Sequence, residues 1–194
     1  MTAVLNLSPT EHRIRLAAIK LIARDGYEAM SLRELAREAG INSSTLYLYY
    51  KGKRELLLSL VQGYHDDLSA TWQQCRPTGG NARELLHAFI GCHLRFHLLR
   101  RDETLVGNLE ARSLDTTERS QVRQARRTYL KQLQGILEQG AREGVLRCDE
   151  PKLMARILYN MLTHACIWFR DDGKLGLQEV ETHYVELVGK MLAM

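Results

Sequence analysis

The stretch GYEAMSLRELAREAGINSSTLYLYYKGKRELLLSLV, Gly26 to Val61, carries the strongest helical punctuation in the chain. Ser31 can cap a helix with Glu34 placed to close a capping box, and Leu32, Leu35 and Ala36 give that helix an inner face before Gly40 stops it. Asn42 then caps a short third segment that runs to Tyr49 or Tyr50. Ala36 is small where two helices must cross closely, Gly40 can take the left-handed turn conformation, and Ile41, Leu46 and Tyr50 point back into the packing. Upstream, Ser8 caps a helix with Pro9 at its first position. Ile14, Ala17, Ala18, Leu21 and Ile22 follow the i, i+3, i+4, i+7, i+8 pattern toward Arg24, and Gly26 ends it. Three helices, the last two joined by a tight glycine turn, predict a helix-turn-helix.

The outward face of the third helix carries Ser44, Thr45, Tyr47 and Leu48, and short polar groups and an aromatic there suit base edges, thymine methyls and phosphates. A plain three-helix bundle with a polar surface has the same spacing. The basic turn that follows weighs between the two. Lys51, Lys53 and Arg54 crowd the start of the next helix, where positive charge opposes the macrodipole at about 0.3 to 1 kcal/mol each. A phosphate bound there reverses that penalty, and Tyr47 and Tyr49 add hydroxyl donors. A merely solvated turn leaves the placement unexplained.

Working outward, all of the net charge of +4 sits near this segment: residues 1–54 hold nine Lys/Arg against five Asp/Glu, while the rest balances. A basic N-terminal unit on a neutral helical body points to a polyanionic partner for the first part and a different task for the second. With 194 residues, 45% apolar and 26% charged, the chain is large enough for one or two compact units with a core. Three prolines and helical periodicity disfavour a β-sandwich or a doubly wound sheet. Cys75, Cys92, Cys148 and Cys166 lie far apart without a CxxC pair, which argues for reduced thiols in a cytosol and against a zinc knuckle. Asn6 and Ser8 break the opening apolar stretch and the first basic residue is Arg13, so no signal peptide is expected; no apolar run reaches membrane-spanning length. The expected setting is the cytoplasm.

From Gly26 to Val61 the sequence resembles the N-terminal domain of TetR-type transcriptional regulators, most specifically in Thr45-Leu46-Tyr47, the aromatic Tyr50, and Lys53, Glu55 and Leu56. The resemblance implies an all-α protein: a helix-turn-helix DNA-binding domain over 1–54 and a helical effector-binding and dimerisation domain over 55–194. It also implies a homodimer on double-stranded operator DNA, with the third helix in the major groove. The DNA contacts expected on this basis are Ser31, Arg33, Asn42, Ser43, Ser44, Thr45, Tyr47, Tyr49, Lys51 and Lys53. Ser44 stands where the family often has glycine and Tyr49 where histidine is frequent; both can donate to phosphate, so these departures bear on the operator sequence.

In the body, helices are expected from Lys53 to about Gln74, Ala82 to Leu99, Glu103 to Arg112, Thr117 to Glu143, Pro151 to Phe169 and Leu177 to Met194, with the clearest break at Pro77, Gly79 and Gly80. The Pro151 to Phe169 segment is apolar almost all round, through Leu153, Ile157, Leu158, Met161, Leu162, Ala165 and Trp168, and needs cover on two sides. Val180, Tyr184, Leu187, Val188 and Met191 form a matching stripe. The two helices either pair with their symmetry mates in a four-helix interface or bury into one monomer core; the family resemblance favours the dimer.

The C-terminal half is also similar, on fewer residues, to TetR-type regulators that respond to acyl-CoA thioesters: Leu109-Glu110 followed by Leu114, then Gly140 and Gly144, then Trp168, Arg170, Gly173 and Leu175. Such a ligand needs an apolar tunnel with cations at its mouth. Phe89, Leu94, Leu133, Leu137 and Trp168 are tunnel candidates and Arg95, Arg100, Arg101, Arg123, Arg126 and Arg127 the cations, although such stripes are usually plain core. His93 and His97 stand one turn apart, a spacing that holds a metal only with a third ligand such as Glu110; pocket-wall residues are the favoured reading. The ligand contacts expected are Phe89, His93, Leu94, His97, Glu110, Tyr129, Leu133 and Trp168, with no metal, cofactor or catalytic residue, since no nucleophile motif, phosphate-binding glycine loop or HExxH pair occurs. Two functions follow: a repressor released from its operator by a small effector such as an acyl-CoA, or a DNA-bound architectural or protein-recruiting factor without an effector.

Overall fold

Ser8 opens the first helix as its sequence predicts, accepting the Glu11 N–H at 3.1 Å ahead of Pro9 in α1, Pro9–Asp25. The computed structural model describes residues 7–193, and no strand occurs among the described residues. Ser31 caps α2, Leu32–Glu38, and Asn42 caps α3, Ser43–Tyr49. Gly40 between them adopts φ +65°, a left-handed turn that a side chain would strain. The box expected at Ser31 is half made. Ser31 accepts the Glu34 N–H at 3.1 Å, but the Glu34 carboxylate turns to Arg24 at 3.4 Å.

Beyond the turn come α4, Lys53–Cys75, and α5, Ala82–Leu99, the latter with a full Asn81/Glu84 capping box. Then follow α6, Arg101–Leu109, a 3-10 turn Glu110–Ser113, and α7, Thr116–Arg142. The chain closes with α8, Pro151–Thr163, α9, Ala165–Trp168, and α10, Leu177–Met191. The single helix expected over Pro151 to Phe169 is therefore two. The Asn160 carbonyl receives both the His164 N–H and ring Nδ1, at 3.0 and 2.7 Å, and the chain then closes Ile167 N–H onto the His164 carbonyl in a tighter turn. The helix expected to end at Arg112 likewise tightens into the 3-10 turn after Leu109. The last helix, expected to reach Met194, stops at Met191, where Leu192 caps it and Ala193 turns at φ +48°; Met194 itself lies outside the described residues, as does the Leu109 side chain.

The helices gather into two compact units. The first holds the described residues through Asp67 and Asp102–Ala125; the second holds Leu68–Arg101 and the described residues from Arg126 onward. In the first, Ile14, Ala18, Leu35 and Leu46 are wholly buried with Leu56, Leu57 and Val61 of α4, and Val106, Leu114 and Val122 join the same core. The helix-turn-helix thus rests on the start of α4 and on the α6 to α7 segment, and each fully buried leucine is worth about 1.5 to 3 kcal/mol against exposure. In the second unit α5 is the central helix, buried along most of its length and packed by α8, α9 and α10.

Candidate DNA-binding surface and effector site

On α3, Leu46 and the following Tyr50 anchor the helix inward, which turns Ser44, Tyr47 and Leu48, with Lys51 one turn on, to the outside. Tyr47 is 56% exposed and Leu48 83%. Asn42 organises the start of this face. Its Oδ1 accepts the Thr45 N–H at 2.8 Å and the hydroxyls of Ser44 and Thr45, each at 2.7 Å. Ser43 is exposed beside them, as are Ser31 and Arg33 on α2. Tyr49 is half-buried because its hydroxyl accepts from Ser8 Oγ at 3.2 Å, and the buried Tyr50 donates to Glu11 at 3.0 Å, so the start of α1 is tied to the end of α3. Burial pushes the Tyr50 phenol above its ordinary range, which keeps it protonated as a donor.

The basic turn is organised differently from the expectation. Arg54 donates to Glu118 at 3.0 Å and to Asp115, while Glu55 accepts the Lys51 N–H at 2.6 Å. Lys53 places its ammonium 2.9 Å from the Glu28 carbonyl and 4.3 Å above the Tyr27 ring. Part of the positive charge at the start of α4 is therefore balanced by acids and carbonyls from elsewhere in the first unit. The placement that called for a phosphate is in part explained without one. Lys51 stays exposed, and the Lys53 ammonium keeps donors to spare. Arg13, which the sequence reading passed over, is exposed on α1 with Nη1 3.8 Å from where a Cβ on Gly40 would stand. It brings a cation to the turn between α2 and α3, and a residue that distant in sequence leaves no local signal.

In the second unit, His93 is wholly buried with Nδ1 3.1 Å from the Tyr129 hydroxyl and Nε2 3.0 Å from the Thr163 hydroxyl. Burial, then the neighbouring His97, push His93 well below the ordinary histidine range, so it is neutral and one ring nitrogen accepts. His97 stacks on it at 3.9 Å and donates from Nδ1 to the His93 carbonyl at 2.7 Å. Phe89 stacks on His93 at 5.8 Å, Tyr129 lies 5.3 Å from Phe89, Tyr159 meets His93 edge-on at 5.3 Å, and Trp72 meets Phe89 edge-on at 4.9 Å. Within this cluster Trp72 Nε1 is buried without a protein partner in hydrogen-bond geometry, while the Tyr159 hydroxyl has Thr163 and Arg126 as neighbours.

The expected ligand residues are thus only partly gathered. Phe89, His93, His97 and Tyr129 come together, and Leu94 and Leu133 are fully buried in the same unit. Glu110 belongs to the first unit, where it accepts the Tyr27 N–H at 3.4 Å and the Ser113 hydroxyl at 3.3 Å. Trp168 is 52% exposed and stacks on Tyr184. Of the expected cations, Arg95 pairs with Glu181 at 2.6 Å, Arg101 donates to the Cys166 carbonyl, Arg123 belongs to the first unit, and Arg126 lies 4.6 Å over the Tyr159 ring and donates to Asn160. Among the described residues no group of three His, Cys, Asp or Glu is placed to hold a metal ion, and no helix is long and apolar enough to cross a membrane.

Residues 14–60 match the family described as bacterial regulatory proteins, tetR family, and residues 79–192 match the tetracyclin repressor-like C-terminal domain. The chain belongs to the TetR family. It is 27% identical over 176 residues to the fatty acid metabolism regulator protein of Bacillus subtilis (strain 168), covering 89% of this chain and 90% of that one. It is 26% identical to the transcriptional repressor KstR2 of Mycobacterium tuberculosis over 88% of this chain and 86% of that protein. The structure of the latter, a ketosteroid transcriptional regulator, matches with a TM-score of 0.86 at 25% identity, covering 98% of this chain and 97% of that one. AibR, solved in complex with isovaleryl coenzyme A and operator DNA, shares the fold at a TM-score of 0.82 and 21% identity, covering 90% and 97%.

As a TetR-family member the protein is a DNA-binding transcriptional regulator that dimerises on operator DNA. α8 shows both faces that its sequence predicted. Leu158, Tyr159 and Leu162 are buried, while Leu153 and Ile157 stay 55% and 43% exposed, alongside Leu187 and Met191 of α10 at 46% and 41%. α8 and α10 each pack on α5 and each keep an exposed apolar side as well.

Proposed function

We propose that this regulator is a repressor released from its operator by a small effector held in the second unit, and that the effector is an acyl-CoA thioester. The observation that carries an internal effector is the orphaned donor Trp72 Nε1, buried inside the aromatic cluster around His93. Buried donors are almost always satisfied, so this one calls for a ligand group or an ordered water. The class of ligand draws support from the relatives, one named for fatty acid metabolism and one solved with isovaleryl coenzyme A. In this reading residues 1–54 contact DNA through Ser31, Arg33, Asn42, Ser43, Ser44, Thr45, Tyr47, Tyr49, Lys51 and Lys53, and 55–194 bind the effector and dimerise. Phe89, His93, His97, Tyr129, Leu94 and Leu133 surround the acyl part. The protein works in the cytoplasm and catalyses nothing.

An effector can release DNA only through differential affinity, and a coupling of about 1 to 3 kcal/mol weakens operator binding roughly 5- to 150-fold. By linkage the operator weakens acyl-CoA binding by the same factor. Titration calorimetry with a panel of acyl-CoAs, with and without operator duplex, reads both sides. Equal affinity in the two states removes the thioester as inducer, and no binding across the panel leaves the effector-independent architectural function.

A further inference from the structure

We infer that Leu48 reads the C5-methyl group of a thymine in the operator's major groove. The inference rests on α3 being the DNA-reading helix. Leu48 is the most exposed large apolar side chain among the described residues, at 83%, and it stands beside Tyr47 at 56% on a helix whose other side is locked inward by Leu46. An isolated leucine held out in water by a rigid helix gains by meeting another apolar group.

What surrounds Leu48 narrows the choice. α3 is built from Ser43, Ser44, Thr45, Leu46, Tyr47, Leu48 and Tyr49. It has no Arg, Lys, Asn or Gln, the side chains that make bidentate pairs with guanine or adenine edges. The Ser44 and Thr45 hydroxyls both donate to Asn42 Oδ1 at 2.7 Å, which leaves their lone pairs, not their protons, for a base. Tyr49 is held by Ser8. Beside the hydroxyls of Ser43 and Tyr47, the helix presents one aliphatic side chain, Leu48, and in the major groove only thymine offers a matching apolar group among the four ordinary bases.

The test selects duplexes from an unmethylated random library with the full-length protein, which also excludes 5-methylcytosine as the methyl donor. Each thymine of the enriched sequence is then replaced singly, in both half-sites, by deoxyuridine, which removes the methyl and nothing else. At one position the wild-type protein should lose about fourfold in affinity per half-site, the worth of one buried methyl. Leu48→Ala should bind the parent duplex as weakly as wild type binds the deoxyuridine duplex, and should be indifferent to the replacement. Its thermal melting should not change, because the side chain lies outside the core. Wild-type indifference to every deoxyuridine, or an undiminished penalty in Leu48→Ala, overturns the inference while leaving DNA binding intact. A library in which no duplex is enriched overturns DNA reading by α3 and this inference with it.

Discussion

Arg54, in the first turn of α4, donates from Nε to the Glu118 carboxylate at 3.0 Å, and Glu118 in turn closes a reciprocal cap with Asp115 at the start of α7. One guanidinium thus ties the ends of two helices together where its own charge would oppose the α4 dipole. Replacing Arg54 by Ala should lower stability by about 1 kcal/mol, the upper end for a solvent-exposed pair, since the guanidinium meets two carboxylates that also cap α7. Urea unfolding checks the size. Because the charge is already balanced, Arg54→Ala should also change the salt dependence of operator binding less than Lys51→Ala does, and an equal change would place Arg54 on a phosphate.

Lys53 sits between a structural and a DNA-binding task. Its ammonium rests on the Tyr27 ring and the Glu28 carbonyl, which positions it without using all three donors. Lys53→Ala should weaken binding to every duplex and reduce the slope of log K against log salt by about one unit per protomer. Tyr27→Leu, which removes the platform but keeps the charge, should weaken binding with the slope preserved. Fluorescence titrations over a salt series separate the two, and an altered base preference in Lys53→Ala would contradict its role.

The neutral His93 makes stability depend on pH with a definite sign. Its unfolded value lies near 6.5 and its folded value well below, so between the two the unfolded chain binds the extra proton. Stability therefore rises with pH across that window and falls as pH drops below about 6.5, with a limiting slope of about 1.4 kcal/mol per pH unit. Denaturant titrations between pH 7.5 and pH 5 should show this slope in wild type and a flatter one in His93→Gln. Parallel curves for the two proteins would mean that His93 titrates normally in the fold.

Ile157 and Leu153 are exposed on the same side of α8 whose opposite side is buried. Ile157→Glu puts a charge on the exposed apolar side of α8, the side we propose meets a second subunit, and leaves the α5-facing side alone, so it should yield a folded monomer by light scattering with a helical spectrum unchanged. Operator affinity should fall steeply, since two half-sites are no longer engaged together. A dimer that survives the charge would move the interface elsewhere.

Local features decided the helix-turn-helix, and those features are visible along the chain. Ser8, Ser31 and Asn42 each have a side-chain oxygen within a few residues of the N–H it accepts, and Gly40 is the residue that tolerates φ +65°. Helical periodicity likewise marked Leu46 and Tyr50 as buried and left Tyr47 and Leu48 outside, because which side of a helix a residue faces follows from its spacing. Tertiary packing decided the rest. The acids that balance Arg54 arrive from Asp115 and Glu118, and Glu110 turns to Tyr27 and not to His93. None of these could be read along the chain, because each depends on which distant helices share a core, and a carboxylate bonds the cation that packing brings within 3 Å whatever its place in the sequence.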